Sequence, residues 1–251
     1  MTAASLKGTL QNPCRGWPPR SVPGILAALE DRAVVKWNDI QTTFLDMDGT
    51  LLDLHFDNHF WQEHVPLRYA ERQGLAVSDA KRVLYERFRR AEGTLDWYSV
   101  DYWSDELDLD IPALKEEVAE RISLRPHALE FLEAMRAAGK RLVLVTNAHG
   151  KTAVLKFRYT GIDRYMDAVV CAHDIGLAKE HPPFWGQLQE LEPFDPAATL
   201  LIDDSLPVLR CARAYGVAHL LAIRRPDLRG PDKDCAEFAA VESFRALLPV
   251  A

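Results

Sequence analysis

From Pro126 onward the chain alternates short apolar runs with amphipathic stretches of helical spacing. Helices are predicted over Pro126–Ala138, ending at Gly139, over Lys151–Tyr159, ending near Gly161, around Pro183–Leu191, and over Leu206–Tyr215, ending at Gly216. Strands are predicted between them, at Arg141–Val145, Ala168–Cys171, Thr199–Ile202 and Ala218–Ile223, and a last helix over Ala236–Leu248. Brief apolar strands separated by helices imply a parallel sheet covered on both faces. Upstream, Thr42–Leu45 reads as one more strand, ending at Asp46.

Residues 53–125 break this rhythm. They carry no strand signal but show helical spacing with many charges, as in Asp79–Phe88, and Pro112 suits a helix start. The predicted organisation is therefore an α/β Rossmann-like core, residues 37–52 and 126–251, interrupted after its first strand by a helical insertion, residues 53–125. Residues 1–36 read as a flexible tail, because Pro13, Pro18, Pro19 and Pro23, with Gly8, Gly16 and Gly24, interrupt any regular element.

Composition narrows the function classes. The 251 residues carry 30 Lys+Arg against 37 Asp+Glu, a formal net charge of −7. That balance argues against a general nucleic-acid binder, which needs a basic footprint. No apolar run approaches the ~18 residues that span a membrane, and the N-terminus has no apolar core of signal-peptide type. Cys14, Cys171, Cys211 and Cys235 are scattered, which fits reduced thiols and a cytoplasmic location. No protein partner is evident from the sequence.

In an open parallel sheet, ligands bind beyond the carboxyl ends of the strands. After the first predicted strand come Asp46, Met47, Asp48, Gly49 and Thr50; after the second, Thr146 and Asn147; later, Lys179; after the fourth, Asp203, Asp204 and Ser205. Clustered carboxylates on short side chains suit Mg²⁺. With the metal bound, one carboxylate can serve as nucleophile and another as proton shuttle. Thr146 and Lys179 suit an anionic group such as phosphate, and Gly49 lets backbone N–H groups approach it.

These residues resemble the four motifs of the haloacid dehalogenase-like hydrolase superfamily: LDMDGTLLD (Leu45–Asp53), VTN (Val145–Asn147), Lys179 and LIDDS (Leu201–Ser205). The resemblance implies a phosphohydrolase in which Asp46 attacks phosphorus and forms an aspartyl-phosphate. Asp48 then acts as acid and base, and Thr146, Asn147 and Lys179 serve the phosphoryl group. Mg²⁺ would be held by Asp46, the Asp48 carbonyl and Asp204, with Asp203 direct or through water. Relatives often place Pro directly after the motif lysine, whereas Glu180 and His181 intervene here, leaving Lys140 and Lys151 as fallbacks. An insertion between Asp48 and Thr146 resembles a C1-type cap, which closes over the site and selects substrate.

The stretches Asp53–Pro66, Leu95–Ile111 and Thr146–His149 further resemble bacterial GMP/IMP nucleotidases, so a purine 5′-monophosphate is the expected substrate. Asn58, with Asp57, is a candidate for base or ribose contacts, and Trp61, Trp97, Tyr98, Tyr102 and Trp103 are candidates for stacking. A sugar or small organic phosphate, or a phosphomutase reaction, would use the same core. A haloacid dehalogenase has no need of Asp48, and a non-catalytic module would have lost part of the set. Gly150-Lys151-Thr152 lacks the glycine that a phosphate-binding loop needs at position 145, which is Val145. His55, His59 and His64 do not form a zincin pattern, and His149 and His173 follow strands and can line the site.

Overall fold

The computed structural model describes residues 35–250. The tail expected over 1–36 lies outside the described residues except for Val35 and Lys36, and Val35 is buried. Strands β1 (Thr42–Leu45), β2 (Arg141–Thr146), β3 (Ala168–Cys171), β4 (Thr199–Asp203), β5 (His219–Ile223) and β6 (Ala240–Val241) form one sheet in the order β3-β2-β1-β4-β5-β6. All pairs are parallel. The fold is the expected α/β Rossmann-like core with a helical insertion after the first strand.

The register sets the site. Leu45 lies opposite both Leu144 and Ile202, so the residues that follow them emerge side by side at one end of the sheet. Alternate strand residues feed separate cores. Phe44, Val143, Val145 and Leu201 pack on one face with Trp185 and Phe194; Leu45, Leu142, Leu144 and Ile202 pack on the other with Phe131 and Met135. Burial on both faces explains why these strands read as continuous apolar runs.

The insertion is helical throughout. Helix α1 (His55–His59) continues through a π-turn (Phe60–His64) into α2 (Val65–Gln73), followed by α3 (Val77–Ala91), α4 (Val100–Leu107) and α5 (Ile111–Glu116). In the wide turn the Val65 N–H donates to the Phe60 carbonyl. Val65, which makes that last wide bond, stands immediately before Pro66, which has no N–H with which to extend the ladder. Trp61, Phe88, Trp97 and Trp103 interlock, Phe88 standing edge to face with each of the three indoles and its centroid 5.0 Å from that of Trp103.

A two-stranded neck joins insertion and core. The Asp53 N–H donates to Ser123 O and the Arg125 N–H to Leu51 O, each at 2.9 Å. The buried Arg125 guanidinium donates to the Pro226 and Glu242 carbonyls, each at 3.0 Å, and so ties the neck to the C-terminal segment. The core helices are α6 (Ala128–Ala137), α7 (Gly150–Thr160), α8 (Ala172–Ile175), α9 (Pro182–Leu191) and α10 (Leu206–Tyr215).

One predicted element is wrong: Ala236–Leu248 is not a helix. Its residues Ala240–Val241 form β6 on the edge of β5, and Phe244–Leu247 make a 3₁₀ turn. The open edge of β5 offers N–H and C=O groups that need partners. The Ala222 N–H donates to Ala239 O at 2.8 Å and the Arg224 N–H to Val241 O at 2.9 Å. Phe244 is fully buried and stacks on Phe131 at 4.9 Å, so tertiary packing overrides the helical spacing.

Candidate active site

Asp46, Asp203 and Lys179 meet at the carboxyl ends of β1 and β4. The buried Lys179 ammonium donates to Asp46 Oδ1 at 2.6 Å, Asp203 Oδ2 at 2.7 Å and Val145 O at 2.9 Å. Lys140 instead donates to the Trp37 and Ile40 carbonyls, and Lys151 to Asp101, so neither fallback reaches this cluster. Asn147 holds the Lys179 loop: its Oδ1 accepts from the Lys179 N–H, and its Nδ2 donates to Glu180, each at 2.9 Å. Glu180 also accepts from the Tyr98 hydroxyl of the insertion at 3.0 Å. The two residues between Lys179 and Pro182, unusual in the motif, therefore include a bridge to the insertion. Thr146 Oγ1 accepts from the Ala148 N–H at 3.0 Å, which leaves its hydroxyl proton free to donate.

Asp204 completes the floor. Gly49 has φ +84°, and a Cβ there would fall 2.9 Å from Asp204 Cγ. Only glycine permits both the turn and the close approach. One carboxylate oxygen from each of Asp46, Asp203 and Asp204 lies within 4.8 Å of the others. Burial pushes the Asp46 carboxyl up to about 6, with Asp203 adding to the rise against the pull of Lys179. Burial, then the charges of Asp46 and Asp203, push Asp204 up to about 8. Lys179 is held strongly protonated, since these carboxylates outweigh its own burial. This dry, oxygen-only and under-neutralised donor set fits a hard divalent cation.

Asp48 points elsewhere. Its carboxylate is not one of the three clustered groups; Oδ1 accepts from the Lys156 ammonium at 2.5 Å. Lys156 also donates to Asp57 Oδ2 at 2.6 Å, and Lys115 donates to Asp57 Oδ1 at 3.0 Å. Burial pushes the Asp48 carboxyl up to about 6 despite Lys156. For Asp57 the two lysines overcome burial and hold the carboxyl down at about 2. Asp57 thus faces lysines of the protein.

A cavity of about 650 Å³ opens above this floor, with Asn58, Trp61, Trp97, Tyr98 and His149 among its walls. Trp103 and Tyr102 do not line it; Trp103 is buried and donates from its indole to Trp97 O. Asn58 donates from Nδ2 to Asp227 Oδ2 at 2.8 Å. His149 stands edge-on to His173 at 4.8 Å. His64 lies 2.9 Å from Glu117, and His55 3.5 Å from Asp227, so these rings have separate partners.

Sequence reading missed Lys115, Lys156 and Glu180. The signal for Lys156 was present: with Thr152, Ala153 and Leu155 it lies on the buried face of α7, where an unpaired lysine is not expected.

The family model for haloacid dehalogenase-like hydrolases matches residues 40–216. The chain belongs to the haloacid dehalogenase-like hydrolases. It is 37% identical over 215 residues to the GMP/IMP nucleotidase YrfG of Escherichia coli (strain K12), covering 86% of this chain and 97% of that protein. A phosphoglycolate phosphatase of Escherichia coli O157:H7 is 27% identical, over 72% of this chain and 80% of that one. Among solved structures, a HAD phosphatase from Thermococcus onnurineus superposes with a TM-score of 0.70 at 20% identity, covering 83% and 96% of the two chains. These relatives make the chain a haloacid dehalogenase-like enzyme of the phosphatase kind. Among the described residues, no helix is long and apolar enough to cross a membrane.

Proposed function

We propose that this haloacid dehalogenase-like enzyme is a Mg²⁺-dependent 5′-nucleotidase for 6-oxopurine monophosphates, GMP and IMP, working through an aspartyl-phosphate. The observation that carries the reading is the pairing of Asp46, beside Lys179 and the carboxylate cluster, with Asp48, which stands outside that cluster. Two carboxyls in different surroundings suit two different roles.

Asp46 attacks phosphorus while the bond to the ester oxygen breaks. Asp48 gives its proton to the departing oxygen, so the nucleoside leaves as an alcohol and Asp48 becomes a carboxylate. Water then attacks the aspartyl-phosphate and passes a proton to Asp48, releasing phosphate and restoring Asp46. Thr146 and Lys179 bind phosphoryl oxygens, and Asn147 holds the Lys179 loop in place. Asp46, Asp203, Asp204 and the Asp48 carbonyl would hold Mg²⁺, which when bound neutralises charge on the phosphoryl group.

The cap supplies specificity. A 6-oxopurine presents an acceptor at O6 and a donor at N1; AMP presents the reverse. Asn58 keeps its Oδ1 for the N1–H, and Gln62 carries an amide on the same wall, one helical turn on. Trp61 and Trp97 border the cavity as stacking surfaces. A base of the opposite pattern leaves polar groups unpaired, at about 1–3 kcal/mol each. The 37% identity to a GMP/IMP nucleotidase supports the same substrates.

The test is kcat/KM for phosphate release from GMP, IMP, AMP, CMP, UMP and a panel of sugar and small organic phosphates. GMP and IMP are expected to lead. A sugar phosphate ahead of every nucleotide by about tenfold, a 1.4 kcal/mol difference, would leave only the phosphatase class standing.

A further inference from the structure

Four charged groups alternate in sign from the core into the cap: Asp48, Lys156, Asp57 and Lys115. Lys156 Nζ lies 2.5 Å from Asp48 Oδ1 and 2.6 Å from Asp57 Oδ2, and Lys115 Nζ lies 3.0 Å from Asp57 Oδ1. The lysine side chains are only 1% and 3% exposed. A buried ammonium is tolerated only when paired, so Lys156 depends on both carboxylates. Lys115 is fixed further by rings, its Nζ standing 4.3 Å from the Phe60 centroid and 5.0 Å from that of Phe56. Asp48 belongs to the β1 loop and Lys156 to α7 of the core, whereas Asp57 on α1 and Lys115 on α5 belong to the cap.

From this we infer that Lys156 is a positioning residue for Asp48, clamping one carboxylate oxygen so that the other faces the leaving group, and that Asp57 with Lys115 anchors the clamp in the cap. The inference rests on Asp48 as the acid in the proposed reaction. Held by Oδ1, the Asp48 carboxyl has lost rotation about its own axis, and Oδ2 is the oxygen left to face the leaving group. Because the far end of the clamp is in the cap, the acid is held correctly only while the cap is seated. The device couples closure to protonation of the departing oxygen without any contact between Lys156 and substrate.

The test compares two aryl esters of similar shape. Phenyl phosphate needs a proton on its departing oxygen, whereas 2,4-dinitrophenyl phosphate releases a stable phenolate without one. Lys156→Met keeps the aliphatic stem and removes the ammonium. Its kcat/KM is expected to fall about 100-fold on phenyl phosphate and less than about fivefold on the dinitrophenyl ester, the signature of lost general-acid catalysis. Asp57→Asn, which keeps Lys156 and slackens only its cap anchor, is expected to show the same selectivity at about tenfold, and it carries the test alone if Lys156→Met fails to fold. Parallel losses on both esters, or no loss on either, overturn the inference and leave Lys156 a structural ion pair. Asp48→Asn is the reference. Selectivity there but not in the other variants defeats the clamp alone; no selectivity there defeats the acid reading and the clamp with it. Neither ester is a nucleotide, so the result is independent of the physiological substrate.

Discussion

The floor and the roof of the cavity are charged in different ways. The floor gathers Asp46, Asp203 and Asp204 around a single buried ammonium, Lys179, and stays short of positive charge. Between floor and roof, Asp48 and Asp57 are matched by Lys156 and Lys115, two carboxylates to two ammonium groups. An unbalanced cluster is a site for a cation and for chemistry; a balanced one is a joint. Substitutions on the floor should therefore change turnover and metal response, and those at the joint should change stability and the handling of the leaving group.

The largest effect should come from Asp46→Asn. Loss of the nucleophile should lower kcat by about 10⁴-fold or more, with a circular dichroism spectrum like that of the parent. Phosphate release near the parent rate would remove Asp46 from its role and dissolve the contrast between floor and joint.

Metal response should divide the regions next. EDTA is expected to abolish phosphate release. Saturating Mg²⁺ at about 100 times Kd should stabilise the parent by about 2.7 kcal/mol. In a thermal melt, Asp204→Asn should lose that stabilisation and Asp57→Asn should keep it. A Mg²⁺ response lost in Asp57→Asn and kept in Asp204→Asn would reverse the assignment.

The joint has a pH signature. The folded Asp57 carboxyl titrates at about 2, below its ordinary 3.8, because Lys115 and Lys156 outweigh its burial. A depressed carboxyl stabilises the fold above its unfolded value, and the contribution is lost as pH falls toward the folded value. Asp57→Asn should therefore be less stable than the parent by about 2 kcal/mol at neutral pH, with the gap narrowing below about pH 4. Urea midpoints measured from pH 7 down to pH 3 check this, and a gap independent of pH would mean that the lysines do not act on Asp57 by charge.

The smallest effect is expected at the cavity wall. Asn58→Ala should lower kcat/KM for IMP about fivefold, the worth of one hydrogen bond of about 1 kcal/mol, and leave AMP unchanged. Equal losses on both nucleotides would make Asn58 only a partner of Asp227.

The carboxylates of the floor were legible because they end or directly follow apolar strand runs, and the parallel register brings strand ends together whatever the helices do; Lys179 comes eight residues after β3 and was legible only through its motif. Asp46 lies beside Asp203 because Leu45 is paired with Ile202. Gly49 was readable as the residue that lets the turn bring N–H groups to a phosphate, but its close approach to Asp204 came only from the fold. The joint was not legible. Lys156 and Asp57 are separated by 99 residues and meet only because α7 packs against α5 of the cap. A lysine on the buried face of a helix announces that a partner exists, but not which one. The C-terminal segment failed for a related reason: its apolar spacing suits a helix, yet the unpaired edge of β5 and the ring of Phe131 offered it better partners.

The sequence by itself determined five of the six strands of the sheet, the helical insertion after the first of them, and the set of groups at the strand ends, since these follow from local periodicity and from short runs next to turns. Only the tertiary structure decided how charge is balanced around them. Coulomb pairing in a dry interior depends on distances of a few ångströms between residues far apart in the chain, and no local pattern encodes those distances. Asp46 and Asp48 stand two positions apart in one motif, but one faces a cluster that calls for a metal and the other a lysine anchored in the cap.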